Sequence, residues 1–123
     1  MKTTAPGLLG VYGVGADTAA TLLAAAGDNA ARIRSEAAWA HLCGVAPIPA
    51  GSGKTNGRHR LNPGGNRHAN HALWRIVITR LGQGEPRTAA YMQRRLAEGR
   101  TKPEIIHALK RYVAREIYQR LPA

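Results

Sequence analysis

Apolar residues recur at helical spacing along most of the chain, and few segments alternate apolar and polar residues as a strand would. The Ala/Leu-rich segment 16–26 predicts a helix that ends at Gly27. Ser35 predicts the N-cap of a short helix that runs through Leu42. We therefore expect a mainly α fold.

Three longer helices are expected in the second half of the chain. Asn66 predicts the cap of a helix that runs to about Leu81, and segment 85–98 predicts the next helix. Thr101 and Glu104 have the spacing of a capping box for the last one. The expected inward positions on these three helices are Ala69, Leu73, Ile76, Val77 and Leu81; Tyr91, Met92 and Leu96; and Ile105, Ile106, Leu109, Tyr112, Val113, Ile117 and Leu121.

Length and composition favour one small domain. The chain has 123 residues, 44% of them hydrophobic, and it has no Phe, so aliphatic side chains must fill most of the core. A single cysteine, Cys43, excludes an internal disulfide framework. Apolar runs are too short to span a membrane, so we expect a soluble, cytoplasmic protein. Residues 47–66 are dense in Pro and Gly and predict a long, functional or disordered loop.

The charge of the chain is strongly positive and unevenly distributed. The net charge is +11, yet residues 1–50 contain three basic and three acidic residues and are neutral. No carboxylate occurs between Glu36 and Glu85, a stretch with four histidines and six basic residues, Lys54, Arg58, Arg60, Arg67, Arg75 and Arg80. Arginine outnumbers lysine fourteen to four, which favours bidentate phosphate contacts. A polyanion is the expected partner, and a solvated basic face is the alternative.

The segment 9–19, Leu-Gly-Val-Tyr-Gly-Val-Gly-Ala-Asp-Thr-Ala, resembles the hairpin and second helix of a helix-hairpin-helix element. Gly13 and Gly15 would let the backbone turn tightly, so that amides of the hairpin and helix N-terminus face a phosphate. The alternative is a plain helix-initiating turn. The first helix of such a pair would precede Leu9, so we expect the chain to be cut at its front.

Residues 48–55, Ile-Pro-Ala-Gly-Ser-Gly-Lys-Thr, look at first like a phosphate-binding P-loop. The first glycine of that motif is replaced by Ile48, and the residues that follow do not predict a helix. A serine between glycines has an approachable hydroxyl, and Ser52 is therefore a candidate nucleophile. A flexible turn is the alternative for Ser52. The histidines and Cys43 lack zinc-finger spacing, so no metal site is predicted.

Four segments together carry a more specific resemblance. They are Gly-Val-Gly-x-x-Thr-Ala at 13–19, Ala-Ala-Trp-Ala-His-Leu-Cys-Gly-Val-Ala-Pro at 37–47, Ser-Gly-Lys at 52–54 and Gly-Asn-Arg at 65–67. In this combination the chain resembles the C-terminal domain of the DEDD-type insertion-sequence transposases, the one-ten, one-sixteen and nine-oh-two family of bridge-RNA-guided recombinases. The resemblance extends over residues 8–121 and is strongest over residues 9–81.

The resemblance implies that Ser52 attacks a DNA phosphodiester and holds the strand as a phosphoserine. It also implies a RuvC-like domain in cis or in trans whose four carboxylates hold Mg²⁺, a structured guide RNA, and a homo-oligomer at the nucleoid. The nucleic-acid contacts expected with it are Gly13, Gly15, Lys54, Arg58, Arg60, Arg67, His68 and Arg75.

The chain also departs from the family pattern. It has only two Asp and five Glu, and none lies in a strand pattern, so we expect the RuvC-like domain to be absent. Cleavage by this chain alone is then not expected, because phosphoryl transfer requires charge neutralisation that arginines supply only in part. A non-catalytic basic module that grips nucleic acid through its phosphates is the alternative function.

Overall fold

The computed structural model of the chain describes residue 8 and residues 10–31, 33–46 and 66–121. All regular structure in these ranges is helical, so the expected mainly α fold is confirmed. The first helix of the expected helix-hairpin-helix and the segment 47–65 lie outside the described residues. The helices are α1 (Ala16–Asp28), α2 (Glu36–Leu42), α3 (Arg67–Gly82), α4 (Pro86–Ala97) and α5 (Lys102–Arg120).

Side-chain caps start three of the helices where the sequence predicts them. The Ser35 hydroxyl accepts a hydrogen bond from the Ala38 amide at 3.1 Å, at the start of α2. The Asn66 side chain accepts one from the Ala69 amide at 2.9 Å, at the start of α3. Thr101 and Glu104 form the predicted capping box of α5. These caps satisfy amides that have no partner within their own helix.

The end of α1 differs from the prediction. The helix continues through Gly27 to Asp28, and Asn29 is its C-cap. The Asn29 side chain donates to the Ala25 carbonyl at 2.8 Å, and its backbone amide donates to the Ala26 carbonyl. Asn29 thus satisfies two carbonyls of the last turn, which is the role expected of a residue that follows a helix.

The core is built around α3, which packs against α1 on one side and α5 on another. Helix α5 in turn contacts α2 and α4. Trp39 of α2 is fully buried, and its indole nitrogen donates to the Ala114 carbonyl of α5 at 3.0 Å. Aliphatic side chains fill most of the remaining interior, chiefly Leu8, Leu22, Leu73, Ile76, Val77, Ile105, Val113 and Ile117.

Two of the expected inward positions are wrong. Leu96 is exposed in the last turn of α4. Tyr112 is 42% exposed, because Ile105, Leu109 and Val113 form the buried stripe of α5 without it. Both residues lie at the edge of a helical stripe, where the neighbouring helices decide which side chains are covered.

Candidate nucleic-acid interface

The hairpin that precedes α1 packs directly on α3. Gly13 has a φ of +88°, and a Cβ there would meet the Ile76 carbonyl and the Arg80 side chain, each at 3.3 Å. The structure therefore requires glycine at this position for a turn and for close packing. The backbone of Gly13 faces the inner side of α3.

Gly15 has a different environment from Gly13. It is the exposed N-cap of α1 with an extended backbone, and a Cβ there would meet no neighbour within 4 Å. Asp17 follows in the first turn of α1, where its carboxylate interacts favourably with the positive end of the helix. An anion at this terminus would lie close to that carboxylate.

Arg80 is buried, contrary to its place in the expected basic field. It is 5% exposed, and its Nε donates to the Tyr12 carbonyl at 2.8 Å. Its two terminal nitrogens donate to the two carboxylate oxygens of Glu116, each at 3.1 Å. Arg80 therefore ties the hairpin and α5 to α3, and it is not available to a phosphate.

The structure brings three of the predicted site residues together on the outer face of α3. Arg67, His68 and Arg75 are exposed there. Trp74 is 40% exposed beside them and stacks on His71, with ring centroids 5.3 Å apart and an interplanar angle of 26°. We call this surface the α3 outer face and define it as Arg67, His68, His71, Trp74, Arg75 and Ile78.

The α3 outer face is positively charged without compensation from its own helix. No Asp or Glu occurs in α3. Neither Arg67 nor Arg75 forms a salt bridge with any residue that the structure describes. Two unpaired guanidinium groups beside an exposed indole suit phosphate contacts together with stacking. The functional potential of Trp74 was not predicted from the sequence, where only its exposed position opposite the apolar stripe could have indicated it.

Hydrogen bonds join the end of α2 to the start of α3, the two helices that flank the segment 47–65 in the sequence. The Asn66 amide donates to the Leu42 carbonyl at 2.6 Å, which joins the start of α3 to the end of α2. The Asn70 side chain donates to the Cys43 carbonyl at 2.9 Å and accepts from Lys110 of α5 at 3.1 Å. These bonds hold the end of α2 and Cys43 against the first turn of α3, where Arg67 lies.

Two basic side chains of α5, His107 and Lys110, contact the region where α2 ends and α3 begins, which we call the junction. His107 forms a hydrogen bond with the backbone of Ala46, yet burial, with the positive charges of Lys110 and Arg111, lowers the pKa of His107. Burial also lowers the pKa of Lys110. The hydrogen bonds of His107 with Ala46 and of Lys110 with Asn70 support the junction.

Four of the predicted site residues lie outside the described residues: Ser52, Lys54, Arg58 and Arg60. Their arrangement relative to the α3 outer face stays a prediction.

The donor set of the chain does not fit a carboxylate-held Mg²⁺. All seven carboxylates are described, and five of them are engaged as helix caps or ion pairs: Glu36, Glu85, Glu98, Glu104 and Glu116. Within the described ranges, no three Asp, Glu, His or Cys side chains lie together as a metal site would require. Burial also raises the pKa of the Cys43 thiol to about 12, which disfavours the thiolate that binds metals.

No helix in the described ranges is both long and apolar enough to cross a bilayer. In a comparison with known protein families, the family model described as Transposase IS116/IS110/IS902 family matches residues 6–93 of the chain. A comparison with curated proteins found no match, and a comparison with solved structures found none. The matched residues include the hairpin, α1, α2, α3 and the segment 47–65.

Proposed function

Since the chain belongs to the IS116/IS110/IS902 family of transposases, we propose that it is the serine-bearing domain of such an enzyme. In this role it binds DNA and a structured guide RNA and supplies Ser52 for strand cleavage and exchange. A RuvC-like domain, in cis or in trans, supplies the Mg²⁺ chemistry, and the active assembly is a homo-oligomer on the nucleoid.

The α3 outer face supports this proposal most directly. Its first two residues, Arg67 and His68, follow Asn66, which comes directly after the segment 47–65 in the sequence. Ser52 is six residues from Ala46, so the extended chain limits their separation to roughly 20 Å. In this proposal Ser52 reaches a DNA strand that lies on the α3 outer face.

The chemistry assigned to Ser52 is a phosphoryl transfer. Its hydroxyl loses a proton and attacks the phosphorus, and the displaced deoxyribose oxygen leaves and takes up a proton. The product is a phosphoserine bond that keeps one DNA end attached to the protein. Lys54, Arg58, Arg60 and Arg67 neutralise the charge that develops on the phosphate oxygens. When bound by the RuvC-like domain, Mg²⁺ supplies the remaining charge stabilisation.

Trapping of a covalent protein–DNA adduct tests the proposal. The full chain is mixed with its RuvC-like partner, guide RNA, Mg²⁺ and labelled target DNA, then denatured and separated by size. We expect an adduct that Ser52→Ala abolishes and that the matched hydroxyl variant Thr55→Ala retains. An adduct that persists in Ser52→Ala contradicts the assignment. Guided DNA binding with no adduct indicates the non-catalytic module instead.

A further inference from the structure

The second aromatic surface of the domain lies between α4 and α5, away from the α3 outer face. Tyr91 and Tyr112 pack edge to face, with ring centroids 5.6 Å apart and an interplanar angle of 85°. Arg94 and Arg95 lie 5.3 and 5.8 Å from the centre of the Tyr91 ring. Arg111 lies 5.9 Å from the centre of the Tyr112 ring. We call these five residues the Tyr–Arg surface.

A cavity of about 300 Å³ opens beside the two tyrosines, at the C-terminal end of α3. The polar groups on its floor are already satisfied: Arg80 is bound to Glu116, and Glu85 accepts hydrogen bonds from Thr88. The volume is at the lower end of the range for small-ligand sites. A satisfied floor and aromatic walls suit a flat ring better than an isolated ion.

Cations surround the opening of this cavity. Arg87 and Arg115 line it with side chains that are 81% and 58% exposed. Both also have a carboxylate within reach, at 3.5 Å for Arg87 and at 3.0 Å for Arg115. Arg94 and Arg111 form no salt bridge with a described residue, so their contacts with the rings leave the charge available.

The Tyr–Arg surface and the α3 outer face point in different directions. Arg80, on the floor of the cavity, is separated from Ile78 by about 160° around α3. A duplex that covers the α3 outer face therefore leaves the cavity open. Tyr112 and Arg111 also lie beyond residues 6–93, the part of the chain that matches the family.

We propose that the Tyr–Arg surface binds unpaired nucleotides of a single-stranded nucleic acid, with one base stacked on Tyr112 at the mouth of the cavity. The neighbouring phosphates contact Arg111 of this surface, together with Arg87 and Arg115, which line the adjoining cavity. Exposed aromatic rings interleaved with arginines are the arrangement by which proteins hold unpaired bases, since every base has a stacking face. This site is additional to the duplex contacts proposed for the α3 outer face, and it does not depend on Ser52.

Fluorescence anisotropy of the full chain with labelled 12-nucleotide oligo(dT), oligo(U) and a 12-base-pair DNA duplex tests the proposal. We expect Tyr112→Ala to weaken single-strand binding about tenfold or more. Tyr112→Phe keeps the ring and should stay within about twofold of the wild-type affinity. Trp74→Ala, the matched variant on the α3 outer face, should weaken duplex binding more than it weakens single-strand binding.

The two single strands identify the source of the ligand. Preference for oligo(U) assigns the site to RNA, preference for oligo(dT) assigns it to an opened DNA strand, and equal binding assigns it to both. The proposal is overturned if Tyr112→Ala, verified as folded by circular dichroism, binds single strands as the wild type does. It is also overturned if Tyr112→Ala weakens duplex and single-strand binding equally. Neither result affects the adduct assay for Ser52.

Discussion

Arg75 and Arg80 are five residues apart on α3 and have opposite surroundings. Arg75 is exposed on the α3 outer face, whereas Arg80 is 5% exposed and bonded to Glu116 and to the Tyr12 carbonyl. The buried guanidinium is compensated by both oxygens of a carboxylate, as a buried charge requires. Of the two, only Arg75 is positioned to bind a phosphate.

Sequence alone did not separate these two arginines. The burial of Arg80 depends on Glu116, 36 residues later, and on Tyr12, 68 residues earlier. Local periodicity carries no information about partners at such separations. The exposure of Arg67, His68 and Arg75 was predictable, because all three lie off the apolar stripe of α3.

The two hairpin glycines provide the first stability prediction. Gly13→Ser should lower the free energy of unfolding by about 1–3 kcal/mol, because φ is +88° and the new side chain would press on α3. Gly15→Ser should be neutral or slightly stabilising, because serine is a favoured N-cap and the site is open. Urea unfolding measures both changes. Equal losses for the two variants would contradict the packing role assigned to Gly13.

At the scale of elements, the caps were the most predictable feature. Ser35, Asn66 and Thr101 each act on an amide three residues later, so the signal and its effect are both local. The orientation of Leu96 and Tyr112 depends on how α4 and α5 pack. That information is distributed over several helices, and both positions were predicted wrongly.

The start of α4 provides a prediction about pH. The Thr88 hydroxyl, with the amides of Thr88 and Arg87, lowers the pKa of Glu85 to about 2, although burial opposes the shift. Because the folded pKa lies below the ordinary glutamate value of 4.5, ionised Glu85 stabilises the fold above about pH 4.5. This contribution is lost as the pH falls from about 4.5 to about 2.

Glu85→Gln should therefore lower stability at pH 7 and reduce the further loss between pH 5 and pH 3. Urea unfolding of the wild type and the variant across this range measures the difference. Glu98→Gln is the matched control, since Glu98 is exposed and pairs only with Arg95 among the interactions described, and it should follow the wild-type profile. A Glu85→Gln profile that parallels the wild type would exclude this role for the cap.

At the scale of the whole molecule, the net charge of +11 is carried by the second half of the chain. Among the described residues, part of that charge lies on the α3 outer face and the Tyr–Arg surface, each of which combines arginines with an exposed aromatic ring. The sequence contains this excess charge and predicts a polyanion as the partner. The division into two surfaces follows from the packing of α3, α4 and α5 and was not predicted.

We propose that the α3 outer face binds nucleic acid, and a salt-dependent titration with duplex DNA tests this most directly. Intrinsic fluorescence provides the signal, because Trp74 is exposed on that face while Trp39, the other tryptophan, is buried. The wild type is compared with Arg67→Gln/Arg75→Gln and with the control pair Arg94→Gln/Arg111→Gln.

We predict that the duplex perturbs Trp74 fluorescence and that affinity falls steeply with salt. The α3 pair of substitutions should reduce the slope of log affinity against log salt by about 2, because two phosphate contacts are lost. The control pair should leave that slope nearly unchanged. Duplex binding without a Trp74 response, and with the same slope in the α3 pair as in the wild type, would contradict the account.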